Sequence, residues 1–144
     1  MITYPGNFEA DRQAGGYVVT FPDFRYGATQ GETLEEATEM AQDLLACLIS
    51  DLIDDGKDLP KPTKRRGRQY RPVSLPGLQS TKVELYQAFR ASGLRKSELA
   101  TRMGIAKSNL DRLFELNHQS RFDQLEAAFA ALNKHIWVEV RDAA

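Results

Sequence analysis

Lys107, Ser108, Asn109 and Arg112 fall within six consecutive positions, and all four side chains carry hydrogen-bond donors suited to nucleic acid. Asn and Arg form paired hydrogen bonds with adenine and guanine edges in the major groove. They lie in the run "RKSELATRMGIAKSNLDRLFEL", Arg95 to Leu116, where Lys96 adds a further cation. A second set has the opposite sign. Glu35, Glu39 and Asp43 recur at i+4 steps and form an acidic stripe on a helix. Such a stripe is either a solvated surface or a docking face for a basic protein. No set of residues has the pattern of covalent or hydrolytic chemistry. Metal-dependent phosphodiester cleavage needs several carboxylates converging on the ions. Here Asp11 and Asp23 flank strand ends, and the other acids follow helical spacing or sit in "DDGKD". His118 and His135 stand alone, without the spacing of ligands or of a catalytic pair. The expectation is a non-enzymatic protein with no metal and no cofactor.

Charge separates the two sets. Residues 1–60 hold twelve acidic and three basic residues, a net of −9, whereas residues 61–144 hold sixteen basic and eight acidic, a net of +8. The overall charge of −1 hides this division. It predicts two modules with different partners, a basic protein for the first and nucleic acid for the second. A length of 144 residues suits one ordinary domain or two small ones. No apolar run approaches the ~20 residues of a membrane span. The start "MITYPGNFEADR" has the features of neither a signal nor a transit peptide. The single Cys47, within "DLLACLISDL", reads as a small buried hydrophobe. These features point to the cytoplasm and away from the membrane.

The elements that must position these residues are legible. "ITYPGNFEA" and "GYVVTFPDF" flank a turn containing "AGG" and predict a hairpin, with Pro5 better suited to an edge strand. "GATQGE" predicts a short third strand ending at Gly31. Thr33 and Glu36 have capping-box spacing. Leu34, Ala37, Ala41, Leu44, Leu45, Leu48 and Leu52 then form the apolar face of a helix reaching about Asp55, with Gly56 as its stop. "PKPTKRRGRQYRP", residues 60–72, reads as a basic linker whose end is either more linker or a strand returning to the first sheet. A basic tract of this kind also touches phosphates without sequence preference.

In the second half, Thr81 and Glu84 suggest another capping box, for a helix that ends near Ser92-Gly93. Further helices are expected at Lys96–Met103, closed by Gly104, and at about Ala106–Leu116. A fourth helix begins after Ser120, with Phe122, Leu125, Ala128, Phe129 and Leu132 inward. Two helices joined by a tight glycine turn, with apolar Ile105 and Leu110 at the junction and donors at the start of the second helix, predict a helix-turn-helix. Arg95 and Ala106 occupy cap positions where Ser or Thr is preferred, a deficit of ~1 kcal/mol each. "HIWVEVRD" alternates and predicts a terminal strand carrying Ile136, Trp137, Val138 and Val140.

Two segments carry a resemblance: "GGYVVTFPDF", Gly15 to Phe24, and "TQGETLEEA", Thr29 to Ala37. A glycine pair, an aromatic, a strand ending in Phe-Pro-Asp and a Gly-acidic-Thr-x-x-Glu-Ala helix start resemble the HicB-type antitoxins. The region Arg95–Leu116 is similar to the DNA-binding form of that family. The resemblance implies an α+β chain. A partial ribonuclease-H-like domain, a small antiparallel sheet plus a long helix, precedes a helical helix-turn-helix domain with a C-terminal strand. The division expected is residues 1–60 (extending to 75 if the returning strand belongs) for toxin binding, 61–78 as basic linker or returning strand, and 79–144 for DNA binding and dimerisation. The partner implied is a HicA-type toxin, a small basic RNA-cleaving protein. Asp23, Phe24 and Tyr26 are its candidate contacts, together with Glu35, Glu39 and Asp43. The DNA implied is the chain's own palindromic operator, bound by a homodimer or higher oligomer, with half-sites ~34–36 Å apart or a multiple of it. Ile136, Trp137, Val138 and Val140 pair two copies in that reading, or cap their own module. The alternative is a stand-alone transcription regulator with an N-terminal small-molecule-sensing domain. Intrinsic nuclease activity is a further alternative, for which no converging carboxylates are visible.

Overall fold

Along the first strand Ile2, Tyr4, Gly6 and Phe8 are buried, while Thr3, Pro5 and Asn7 are half-buried. This period of two marks a strand with one face in the core. In the computed structural model of the chain, which describes residues 1–143, that strand is β1 (Thr3–Ala10). It pairs antiparallel with β2 (Tyr17–Thr20), and β2 pairs antiparallel with β3 (Thr29–Gly31). The sheet order is β3-β2-β1-β4, with β4 (Tyr70–Ser74) antiparallel to β1. The tail of the basic segment therefore returns to the sheet, while residues 61–69 are exposed and form neither helix nor strand.

β1 is central, so the expectation of an edge position for Pro5 is overturned. The register explains why proline is tolerated. Pro5 faces Pro72, and two residues without N–H groups can oppose each other only at a non-hydrogen-bonded pair. On its other side, pairing with β2 begins at Asn7, beyond the reach of Pro5.

Helix α1 (Leu34–Asp54) packs on the sheet through Ala37, Ala41, Leu45, Ala46, Leu48, Ile49 and Ile53. Its N-terminus is capped as expected. The Thr33 hydroxyl accepts from the Glu36 N–H at 3.1 Å, and the Glu36 carboxylate reaches back to the Glu32 N–H at 2.8 Å. Cys47 is exposed, which overturns its assignment to the core. It lies one i+4 step beyond Asp43, so it continues the solvent-facing acidic row.

The C-terminal half is helical: α2 (Gly77–Ser92), α3 (Lys96–Met103), α4 (Lys107–Phe114) and α5 (Phe122–Ala131). The expected box at Thr81 and Glu84 does not form, because α2 begins four residues earlier. The Thr81 hydroxyl instead donates to the Gly77 carbonyl at 2.8 Å. The sheet holds the first turns of α2. The buried Ser80 hydroxyl donates to Leu75 O at 2.9 Å and accepts from Ile2 N at 3.2 Å. α3 has its expected bounds, ended by Gly104 in the left-handed region. Phe122 is 49% exposed, so only Leu125, Ala128 and Phe129 of α5 lie in the core, with Leu132 at its margin. The buried cluster is continuous from the sheet and α1, through Leu75, Val83 and Tyr86, to Leu110, Leu113 and Leu125.

The expected C-terminal strand is absent from the single chain, where residues 134–143 adopt no regular element. A strand needs a partner edge. On the free edge of β4 Pro72 has no donor, Ser74 O accepts from the Gln42 side chain at 3.0 Å, and Tyr70 N is bonded to Gly67 O. Ile136 is half-buried, whereas Trp137, Val138 and Val140 are exposed. No helix among the described residues is long and apolar enough to cross a membrane.

Candidate nucleic-acid and partner interfaces

α4 brings Lys107, Ser108, Asn109 and Arg112 together. All four are exposed, and no hydrogen bond or ion pair engages their side chains among the described residues. The opposite side of the helix is apolar: Leu110, Leu113 and Phe114 pack against α2 and α3. Polar donors thus point outward from the start of a helix whose back is fixed in the core. Ala106 supplies no side-chain cap, as its residue type requires, which leaves first-turn N–H groups free. Those groups, with the positive end of the helix dipole, favour an anion. At α3 the missing Ser or Thr is offset by Glu98, whose carboxylate accepts from the Arg95 N–H at 3.3 Å and from Arg95 Nε at 2.8 Å. These bonds hold the Glu98 carboxyl below its usual range.

Lys96 is placed differently from its neighbours in the motif. Its ammonium contacts Asp111 Oδ1 at 3.0 Å and stands 5.8 Å above the centre of the Phe114 ring. It joins α3 to α4, and its charge is already partnered.

Sequence reading missed Lys82 altogether. This lysine is fully buried, and its Nζ donates to Arg112 O at 3.1 Å, Glu115 O at 2.6 Å and His118 O at 2.6 Å. Burial pushes its pKa down, an effect opposed by the Glu115 charge. The available signal was a lysine flanked by core positions: Val83, Leu85, Tyr86 and Phe89 share its side of α2.

On the N-terminal half the candidate residues spread over a surface. Glu35, Glu39 and Asp43 are exposed along α1. Tyr26 is 58% exposed, and its hydroxyl donates to Asp51 Oδ2 at 2.8 Å, which brings the loop after β2 to the far part of α1. From Glu35 to Asp51 the helix rises ~24 Å, the scale of a protein interface rather than of a small-molecule site. Phe24 is half-buried in edge-to-face contact with Tyr4 and Phe21, with ring centres 5.0 and 6.3 Å apart. Asp23 accepts from the Thr63 N–H at 3.0 Å and from its hydroxyl at 2.6 Å. Asp23 therefore fastens the chain after α1, while Phe24 packs on the aromatic residues of the sheet side. Among the described residues no group of three or more His, Cys, Asp or Glu side chains could hold a metal ion.

The segment 57–63 is bonded on both sides. Tyr4 OH donates to Pro60 O at 2.6 Å, Tyr86 OH to Lys57 O at 2.7 Å, and Arg90 Nε to Asp58 Oδ1 at 2.9 Å. Burial, with the nearby Asp23 charge, pushes the Tyr4 hydroxyl up to about 12. The folded value lies above the unfolded value near 10. The stability Tyr4 contributes is therefore complete below pH 10 and is lost as pH rises from 10 towards 12. Tyr4→Phe should remove the highest step from a 295 nm tyrosine titration and flatten the fall of stability over that window. An unchanged titration curve would contradict the assignment.

A family model described as the HicB-like antitoxin of bacterial toxin–antitoxin systems matches residues 3–84. The chain belongs to the HicB-like antitoxin family. Among curated HicB-like relatives, an antitoxin HicB of Photorhabdus laumondii is 35% identical over 139 residues, covering 96% of this chain and 87% of that one. The antitoxin HicB of Escherichia coli K12 is 35% identical over 122 residues, covering 85% and 88%. A solved toxin–antitoxin complex from Streptococcus pneumoniae contains a chain 24% identical, with a TM-score of 0.46, covering 76% of this chain and 92% of that one. The HicB-like match includes the glycine-rich hairpin, the start of α1, the basic segment and the first half of α2.

Proposed function

We propose that this chain is an antitoxin that masks a HicA-type mRNA-cleaving toxin with its N-terminal half and represses its own operon with its C-terminal half. Residues 1–75 form the toxin-binding unit in this reading, a partial ribonuclease-H-like sheet with α1 across it. Masking is steric and electrostatic and needs no chemistry. The acidic row Glu35, Glu39 and Asp43, with Tyr26 at the adjoining loop, meets a cationic partner, and complementary fields speed the encounter. Asp23 and Phe24 support that surface from the loop.

α3 and α4 form a helix-turn-helix in this reading. α4 enters the major groove with Asn109 and Arg112 at base edges and Lys107 and Ser108 at phosphates. Lys96 acts mainly by orienting α4. The observation that carries the proposal is the exposed, unengaged row of donors on α4 in a chain of an antitoxin family. Two copies bind a palindromic operator, joined through Ile136, Trp137, Val138 and Val140. If the tails pair antiparallel about Val138, Ile136 of one copy faces Val140 of the other, and the apolar row is continuous across the axis. Basic residues 61–71 add contacts without sequence preference.

Co-expression with a HicA-type toxin tests the first half of the reading: a stable complex that no longer cleaves RNA is expected. A chain that folds yet leaves the toxin free and active would overturn it. A single-copy mass in light scattering would remove the dimer.

A further inference from the structure

We infer that Lys82 is the positioning residue of the reading helix: its buried ammonium clamps the carbonyl end of α4 and sets how Asn109 and Arg112 meet DNA. The inference rests on the DNA reading above and adds a residue outside the motif. The geometry is specific. An ammonium has three donors, and each meets a different backbone carbonyl, those of Arg112, Glu115 and His118. Among the described residues no carboxylate bonds to it. Its counter-charges are the negative end of the α4 dipole and the nearby Glu115 carboxylate.

α4 needs this support. It has eight residues, shorter than the ~12–15 that hold a helix alone in water, and no side chain caps its N-terminus. Its axis is set from outside. Two of the three clamped carbonyls lie beyond the helical residues, so the same ammonium fixes the turn leading to α5. An apolar side chain of equal size would fill the space and remove one bond from each carbonyl: Arg112 O and Glu115 O keep the N–H groups of Glu115 and His118, while His118 O is left unbonded. The chain could recover those bonds only by moving the end of α4 towards water.

Arg112 makes the consequence direct. Its carbonyl is held by Lys82 from inside while its side chain is exposed outside. Paired hydrogen bonds to a base edge tolerate displacements of only about 0.5 Å. Lys82 is in turn carried on a helix that Ser80 ties to the sheet, so α4 is referenced to the whole fold.

The test uses the full chain with Lys82→Met, which keeps the length and loses the donors. The variant should unfold cooperatively at a lower temperature and still capture the toxin. Its preference for operator over scrambled duplex should fall at least tenfold, with the scrambled duplex bound as before. A residue that only stabilised the fold would leave that ratio unchanged in the folded variant, and an unchanged ratio overturns the inference. If Lys82→Met does not fold, Lys82→Arg is read in its place: its planar fork cannot meet the three carbonyls in the same way, and the same loss of ratio is required. A wild-type chain with no duplex preference would remove the DNA reading itself. The two failures are thereby distinguished by which protein shows them.

Discussion

Gly31→Ala should destabilise the protein by about 3–5 kcal/mol, a large share of the ~5–15 kcal/mol that holds a typical domain folded. Gly31 ends β3 and faces the first turn of α1. A Cβ built there would lie 2.3 Å from Ala37 N, 2.6 Å from Ala37 Cα and 2.8 Å from the Glu36 carbonyl carbon. All three are backbone atoms of a helix that packs on the sheet through this same face, so none can swing aside as a side-chain tip would. Gly16 sits on the other side of the same junction. Its Cβ would meet Gly31 O at 2.3 Å and Glu32 Cα at 2.9 Å, and its φ is +73°. Three backbone segments therefore touch without intervening side chains: the start of β2, the end of β3 and the first turn of α1. The control is Gly93→Ala, where a Cβ meets nothing within 4 Å and only the left-handed φ is strained. That change should cost ~1–2 kcal/mol. Urea unfolding followed by circular dichroism measures both. Equal costs for the two variants would mean that the junction relaxes and that its glycines are not required for close approach.

The same junction shows what a sequence exposes to reading. "GGYVV" and "TQGETLEEA" were recognisable because the residues that make the contact are near neighbours in the chain or share a short pattern. The bounds of α3 and the stop at Gly104 were legible for the same reason, since a helix end is written in the local residue types. What failed was long-range. Thr81 and Glu84 have a cap's spacing, yet Ser80 reaches Ile2 and Leu75 and draws the helix start back to Gly77. Cys47 sits in an apolar run, but the helical angle turns it towards the acidic row. Pro5 lies in a central strand because its opposite residue is another proline 67 positions away. The tail around Val138 has the alternation of a strand, and the one sheet edge nearby is blocked by Pro72 and Gln42. Lys82 carried no local signal beyond its apolar neighbours, because its partners lie 30 to 36 residues further on. The row on α4 was legible as an exposed set of donors. That Lys96 is already partnered required the position of Asp111.

Arg112→Ala should lower affinity for the operator by ~1–3 kcal/mol, roughly 5- to 150-fold, while toxin capture is unchanged. The substitution is structurally quiet. The Arg112 side chain is exposed and engaged in no ion pair among the described residues, and alanine is a better helix former than arginine. Its carbonyl, the atom Lys82 holds, remains in place. The thermal midpoint should therefore stay near that of the wild type, and the loss should appear at one base position while competition with scrambled DNA changes little. Lys107→Ala supplies the contrast. A phosphate contact carries no sequence information, so its removal should weaken all duplexes alike and reduce the salt slope by about one counterion. The two variants together separate base reading from charge. If Arg112→Ala behaved as Lys107→Ala does, Arg112 would be a phosphate contact and Asn109 would be left as the base reader on α4. If it lost toxin capture in equal measure, the effect would come from a damaged fold, and the division of labour between the two halves would fall with it.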